Sequence, residues 1–399
     1  MGIIGSGWDR EDVKETASFT TSELRIVAPR NAPEYPAAME FEPFRYMAWA
    51  KRWQKEGQFP LHQSGVPPAS LSDLGVDPAA IRVTPPAPGD PAADMGTCIG
   101  ERYGVPAACV LPTCGTHHAN FLLARAVAGP GVRVVVERPY YEAVPGVFRM
   151  VGAEVSFFDR QREDGWRLPT AEIRRAMEDG VRVVAVTDLH NPTGVRIRPD
   201  EFAALDAAAK ATDALVLVDE VYRDFAREPV GTCFYEGGPF VVTSSLTKVY
   251  GLGALRFGWA IANPDLRERM RELNEFVVVN MPAPVLTLAA AAWDALPGIA
   301  RRNRERAETN ARVMAAWMRG HPHLGWTPPD AGISAFVEIP GLAGRDDVAW
   351  CAKVMAETGV GLVPGSMFGS PGSVRISWGL ETEPFREGLG RLESVMGEV

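Results

Sequence analysis

The sequence predicts an α/β protein with a mostly parallel, seven-stranded central sheet covered by helices, and a smaller α+β domain. Seven short apolar runs alternate with helical patterns through the middle of the chain, the pattern of buried parallel strands and their crossovers. The 399 residues are 46% hydrophobic and 23% charged, enough for a large core and two or three structural units. Reactive and polar residues gather just behind the apolar runs, where open α/β sheets bind their ligands.

The same composition excludes a disordered chain, a collagen-like repeat and a small disulfide-held scaffold. The formal charge is -9 with no basic run or tail, so nucleic acid is not an expected partner. Cys98, Cys109, Cys114, Cys233 and Cys351 show no paired spacing, which fits a reducing compartment. The opening MGIIGSGWDREDVKE lacks the basic and apolar blocks of a secretory signal, and no run reaches ~18 apolar residues. A cytoplasmic protein with no membrane partner is expected.

Residues 1–61 read as an arm and part of the small domain. Within them Tyr46, Trp49 and Trp53 recur at spacings of three and four, which puts them on one face of an amphipathic helix. That face packs on a domain, covers a pocket or meets a partner chain. Glu40 and Glu42, just before it, are candidates to recognise a basic side chain. A Pro/Gly-rich passage from Gly65 to Asp94 has the length of a loop with a task.

Residues 62–294 read as a large domain. Its strand candidates are Cys109–Pro112, Val132–Val136, Glu154–Phe158, Val181–Thr187, Ala214–Val218, Phe240–Ser244 and Phe257–Ala262. Helical patterns separate several of them, at His118–Ala128, Thr170–Met177 and Pro199–Ala211. A long helical region from Pro284 to Arg319, broken at Pro297–Gly298, leads into a small domain at 295–399. There Gly332–Glu338 and Ser373–Trp378 read as strands and Asp346–Glu357 as a helix.

Lysine is scarce, so Lys248 stands out in Ser244-Ser245-Leu246-Thr247-Lys248-Val249-Tyr250-Gly251-Leu252-Gly253-Ala254-Leu255-Arg256. A lysine amine can form a Schiff base with an aldehyde cofactor. Ser245, Thr247 and Arg256 can donate hydrogen bonds to a phosphate, arginine through a planar fork. On its own the stretch also fits a surface lysine after a strand.

This stretch resembles the cofactor-lysine motif of the fold-type I pyridoxal-phosphate enzymes, in the class I/II aminotransferase family. The serine three before the lysine and the arginine eight after it match the family's phosphate ligands. Asn191-Pro192-Thr193-Gly194 and Asp219-Glu220-Val221-Tyr222 follow in the family's order, although each also fits a turn or a cap. The resemblance implies that Asn191 and Tyr222 face the cofactor's 3′ oxygen. It also implies that Asp219 pairs with the pyridine nitrogen and keeps the ring an electron sink.

Upstream, Gly115 and Thr116 precede a helix whose N-terminus suits a phosphate. By the same resemblance Tyr141 is the ring-stacking aromatic, Gly65 receives the substrate carboxylate through its backbone, and Arg375 binds that carboxylate bidentately. Asn191 also faces the substrate. Lys248, Asp219 and Tyr222 form the implied catalytic set. The implied cofactor is pyridoxal 5′-phosphate, the implied substrates are an L-amino acid and a 2-oxo acid, and the implied assembly is a homodimer. Elimination, replacement, cyclisation or oxidation of an amino acid would use the same cofactor set. A binding protein on this fold is a third possibility, set against the presence of Lys248, Asp219, Asn191 and Arg375.

The chain departs from the family pattern in two places. Where the family supplies a partner-subunit tyrosine to the phosphate, Thr84-Pro85-Pro86-Ala87-Pro88 stands. Thr84 takes a weaker role there, or another residue fills it, or the loops are registered differently. His117 and His118 behind the expected phosphate site fit capping and packing, or a substrate or general-base role. His190, beside Asn191, fits a supporting position.

Overall fold

The computed structural model describes residues 42–53, 57–226 and 231–396. The arm before residue 42, with Glu40, lies outside them.

The inner strands of the central sheet are apolar on both faces, while the edge strand at Glu154–Asp159 leaves Glu154, Ser156 and Asp159 exposed. Strands β1 (Val110–Thr113), β2 (Arg133–Arg138), β3 (Glu154–Asp159), β4 (Val183–Thr187), β5 (Leu215–Asp219), β6 (Phe240–Ser245) and β7 (Gly258–Ile261) lie in the order β1-β7-β6-β5-β4-β2-β3. Strands β3, β2, β4, β5 and β6 are parallel, and β7 runs against both of its neighbours. Alternate residues feed two separate cores. Val183, Ala185, Leu217 and Val241 pack on one face, and Val184, Val186, Val216, Val218 and Val242 on the other.

Helix α1 is Arg45–Trp53. Helices α2 (Met95–Tyr103), α3 (Thr116–Val127), α4 (Ala143–Met150), α5 (Thr170–Glu178), α6 (Pro199–Thr212) and α7 (Pro264–Glu275) belong to the region of the large sheet. Then α8 (Ala283–Ala292) and α9 (Leu296–Gly320) form one long helical run. Its interruption falls at a 3₁₀ turn, Trp293–Ala295, and not at Pro297–Gly298. Pro297 lies in the first turn of α9, where a missing N–H costs no intrahelical bond. By length and composition alone this run would pass for a membrane span. Yet Asn303 and Asn310 on α9 are buried and donate to the carbonyls of Val249 and Trp378, which ties the helix into the fold.

The second sheet is antiparallel. It contains β8 (Gly325–Trp326), β9 (Ser334–Glu338), β10 (Val363–Pro364) and β11 (Ser373–Ser377) in the order β10-β11-β9-β8. Helices α10 (Asp347–Thr358) and α11 (Thr382–Met396) accompany it. Asp346 caps α10 by accepting from the N–H groups of Val348 and Ala349 at 3.0 Å.

The segment after α1 joins the two sheets. Phe59 bridges to Val360, Ser377 N–H donates to the Leu61 carbonyl, and Val66 N–H donates to the Lys248 carbonyl at 3.3 Å. Tyr46, Trp49 and Trp53 are all buried along one face of α1. The helix is pinned at both sides. The Glu142 carboxylate accepts from the N–H groups of Arg45 and Tyr46, and the Trp49 indole donates to the Leu362 carbonyl.

Strand β7 comes so near the start of α3 that only glycine fits at position 258. A Cβ there would lie 2.7 Å from Gly115 Cα and 2.7 Å from the Ser244 carbonyl oxygen, both fixed backbone atoms. Gly258→Ala is therefore expected to lower the unfolding free energy by about 1–3 kcal/mol, read as a lower denaturant midpoint.

Candidate functional site

Lys248 sits in the connection between β6 and β7, half-buried, with Nζ donating to Ser64 Oγ at 2.6 Å. Burial pushes its amine below the ordinary lysine range, and the charges of Arg375 and Arg256 act in the same direction. Tyr46 and Asp219 oppose them. The net direction favours the free amine, the form that can act as nucleophile or base.

Asp219 ends β5, buried, and accepts from Val221 N–H at 3.0 Å. Burial raises its carboxyl to about 7, while the Val221 bond and the Lys248 charge pull it down. A cationic ring nitrogen is the type of partner that would hold it ionised. Tyr222 is also buried, and its hydroxyl donates to the Ser64 carbonyl at 2.7 Å. Burial moves that phenol upward, so it remains a protonated donor.

Arg375, central in β11, is wholly buried. Its Nη1 donates to Asn191 Oδ1 at 3.1 Å, and its Nη2 donates to the Tyr46 hydroxyl at 2.8 Å and the His62 carbonyl at 2.7 Å. The rings of Tyr46 and Phe368 flank the guanidinium at 5.3 and 5.2 Å. Nε–H has no acceptor among the described residues. Arg375 forms no ion pair among the described residues, so a buried cation stands without a carboxylate partner. With its oxygen given to Arg375, Asn191 has its two N–H donors to offer a ligand.

At the other end of the site, Gly115 precedes α3 with φ +87°, and Thr116 opens the helix. A Cβ on Gly115 would strike Arg256 Nη2 at 2.7 Å, so the bare glycine face looks onto the guanidinium. Arg256 also donates to the Cys114 carbonyl. Thr116 Oγ1 is buried without a partner among the described residues, whereas Ser245 Oγ donates to Thr247 Oγ1 at 3.0 Å. A helix N-terminus, two hydroxyls, an orphaned third and an arginine fork fit a phosphoryl group.

Tyr141 lies between these ends. Its ring meets Tyr46 edge-on at 5.3 Å, and its hydroxyl pairs with His117 Nε2 at 3.0 Å. Burial lowers His117 to about 4, helped by Lys248 and Arg256, so it is neutral at ordinary pH. His118 accepts from Cys114 N–H through Nδ1, a capping contact. His190 is buried between Thr193 and the Pro139 carbonyl. Gly65 lies against the backbone of Thr247 and Lys248. Glu42 is exposed and pairs with Arg149 at 3.0 Å, away from the role of recognising a substrate side chain.

Three residues of the constellation were not expected from the sequence: Ser64 on Lys248, and Tyr46 and His62 on Arg375. Tyr46 was visible only as one member of an apolar helix face. Ser64 stood beside Gly65 with no motif of its own.

A test isolates Asp219. Its folded-state carboxyl lies above its ordinary value, so the folded cofactor-free protein holds a proton that the unfolded chain has released. Stability from this group is complete at low pH and is lost as pH rises from about 4 to about 7. Cofactor-free Asp219→Asn should gain on wild type across that window, with a constant gap above it, in thermal unfolding at a series of pH values. Glu137 and Glu220, also raised to about 7, are common to both proteins and cancel.

The model of the class I and II aminotransferase family matches residues 83–392. Over 363 residues the chain is 24% identical to capreomycidine synthase of Streptomyces vinaceus, covering 88% of this chain and 92% of that protein. It is 25% identical over 313 residues to an aspartate aminotransferase of Streptomyces avermitilis, covering 74% and 76%. Among solved structures, the pyridoxal-phosphate-dependent cyclase OrfR superposes with a TM-score of 0.80 at 25% identity, over 92% of this chain and all (100%) of that one. An aminotransferase from Streptococcus suis gives 0.79 at 23%, over 90% and 99%. Joined to the sheet order and the residues around Lys248, these matches place the chain in the class I and II aminotransferase family, as a pyridoxal-phosphate-dependent enzyme of fold type I.

Proposed function

We propose that this enzyme moves the amino group of an L-α-amino acid to a 2-oxo acid, with pyridoxal 5′-phosphate carried on Lys248. The observation behind it is Arg375: a buried guanidinium, one N–H unsatisfied, with no carboxylate partner among the described residues. Burying an unpaired charge is costly, and an α-carboxylate arriving as a fork-to-fork partner offsets that cost.

The donors around Gly115 fit the cofactor's phosphate: Thr116, Ser245 and Arg256 would hold it, and Asp219 would face the ring nitrogen. When bound, the cofactor's ring withdraws electrons and makes the substrate Cα–H acidic. The chain supplies the rest. Arg375 and Asn191 fix the carboxylate end, and the Tyr141 ring limits how the substrate can tilt. Together they decide which bond at Cα is aligned to break. Lys248 Nζ, biased toward the free amine, would take the Cα proton and deliver it to the carbon on the far side of the substrate nitrogen. Tyr222 donates from the side of Ser64. We place this chemistry in a cytoplasmic homodimer.

A second reading has support of its own: cyclisation, elimination or oxidation of the amino acid. The capreomycidine synthase match takes in 88% of this chain against 74% for the aspartate aminotransferase, and OrfR is named a cyclase. The larger match must include residues before position 83, the part of the chain that carries Tyr46 and Ser64.

Incubating holoenzyme with a panel of amino acids and 2-oxo acids separates the two. Formation of the donor's oxo acid with equimolar amination of the acceptor is expected. Ammonia, or an altered side chain with no aminated acceptor, would replace transamination with the second reading. Arg375→Lys, which keeps the charge but not the fork, should lower kcat/KM by roughly a hundredfold for the preferred amino acid.

A further inference from the structure

We propose that Ser64 is a further catalytic residue, whose hydroxyl receives and aims the Lys248 amine. The proposal rests on Lys248 being the cofactor lysine, as proposed above.

Ser64 Oγ is 2.6 Å from Lys248 Nζ, a strong charge-assisted contact whenever that nitrogen carries a positive charge. The nitrogen donates, so the serine oxygen accepts and its own O–H remains to be given elsewhere. Tyr46 stands beside the same nitrogen: its hydroxyl receives Arg375 Nη2 at 2.8 Å, and its phenol is held down by the charges of Arg375 and Lys248.

The surroundings agree with this polarity. Burial alone would raise the Tyr46 phenol, but Arg375 and Lys248 outweigh it and hold the phenol below its usual range. The charged and titratable groups around Lys248 are Tyr46 from α1, His117 from α3, Asp219 from the end of β5, Arg256 before β7 and Arg375 from β11. Two of these, Tyr46 and Asp219, favour a protonated nitrogen, and Ser64 adds a neutral acceptor at the shortest range.

The chemistry needs no co-reactant. When Lys248 takes the Cα proton it becomes an ammonium with three N–H groups. One goes to Ser64, which fixes the direction in which the remaining hydrogens point and favours the protonated form. When the proton returns to carbon, the same bond keeps the free amine from turning away. No proton passes through serine.

Ser64 lies upstream of the matched region 83–392. The loop does not depend on the serine hydroxyl for its position. Tyr222 donates to the Ser64 carbonyl, Arg375 to the His62 carbonyl, and Val66 N–H binds the Lys248 carbonyl. An alanine at position 64 keeps all three.

The test is the pH dependence of Lys248 labelling by an amine-reactive reagent in the cofactor-free full-length protein, where the amine stands free, read residue by residue by mass spectrometry. Ser64→Ala is expected to lower the midpoint by about one pH unit, a tenfold loss of proton affinity at the amine. Ser64→Thr, which keeps the hydroxyl, should retain the wild-type midpoint. A Ser64→Ala protein that still takes up the cofactor on reconstitution, yet labels with the wild-type midpoint, would overturn the proposal. The amino-acid panel fails independently: midpoints that shift as expected, with no oxo acid formed, leave Ser64 in place and remove transamination.

Discussion

A single buried guanidinium organises this molecule. Arg375 lies in β11 of the small sheet, yet its partners come from elsewhere: Asn191 after β4, Tyr46 on α1 and His62 in the segment behind α1. A cation with no carboxylate partner among the described residues tolerates burial only when neutral oxygens and aromatic faces surround it. Meeting that requirement draws the arm helix, the connecting segment and a loop of the large sheet to one point. The site at the boundary of the two sheets is held by the solvation demand of one side chain as much as by any apolar contact.

Around that point the charges are balanced by position. Lys248 is biased toward the free amine and His117 toward neutrality, in both cases first by burial. Asp219 is biased the opposite way, toward protonation, by the same cause. A low-polarity interior thus pushes the lysine, the histidine and the carboxylate each toward its neutral form in the free protein. A ligand that brings one cationic nitrogen, one phosphate and one carboxylate supplies the charges that this interior lacks.

The strands were legible in the sequence to within a residue or two because the inner strands of the central sheet are buried on both faces and read as continuous apolar runs; the edge strand β3 was legible from Val155, Phe157 and Phe158 instead. Lys248, Asp219, Asn191 and Arg375 were legible because they stand at strand ends or in short phrases of fixed spacing. Ser64 and Tyr46 were not. Their partners lie 184 and 329 residues away in the chain, and no local period records such a contact. The misplaced break in the long helix has a local cause: Pro297 reads as a breaker anywhere but in a first turn, and the turn boundary is set by packing around Trp293. Glu42 was misread because an acidic residue before an aromatic helix looks the same whether it faces a pocket or Arg149.

The reversed direction of β7 has a consequence for how the site could change over time. Because β6 and β7 are paired antiparallel neighbours, with Ser245 opposite Gly258, everything between them leaves and returns at the same end of the sheet. Ser245, Lys248 and Arg256 therefore travel as one covalent cassette, closed at its base by ladder hydrogen bonds. The cassette cannot shed one member by a shift in register, since a slip of one residue would turn Gly258 away from Gly115 and bring a side chain there. Asn191, Asp219 and Arg375 sit on separate stems, so a change at one does not carry the other two with it through the chain.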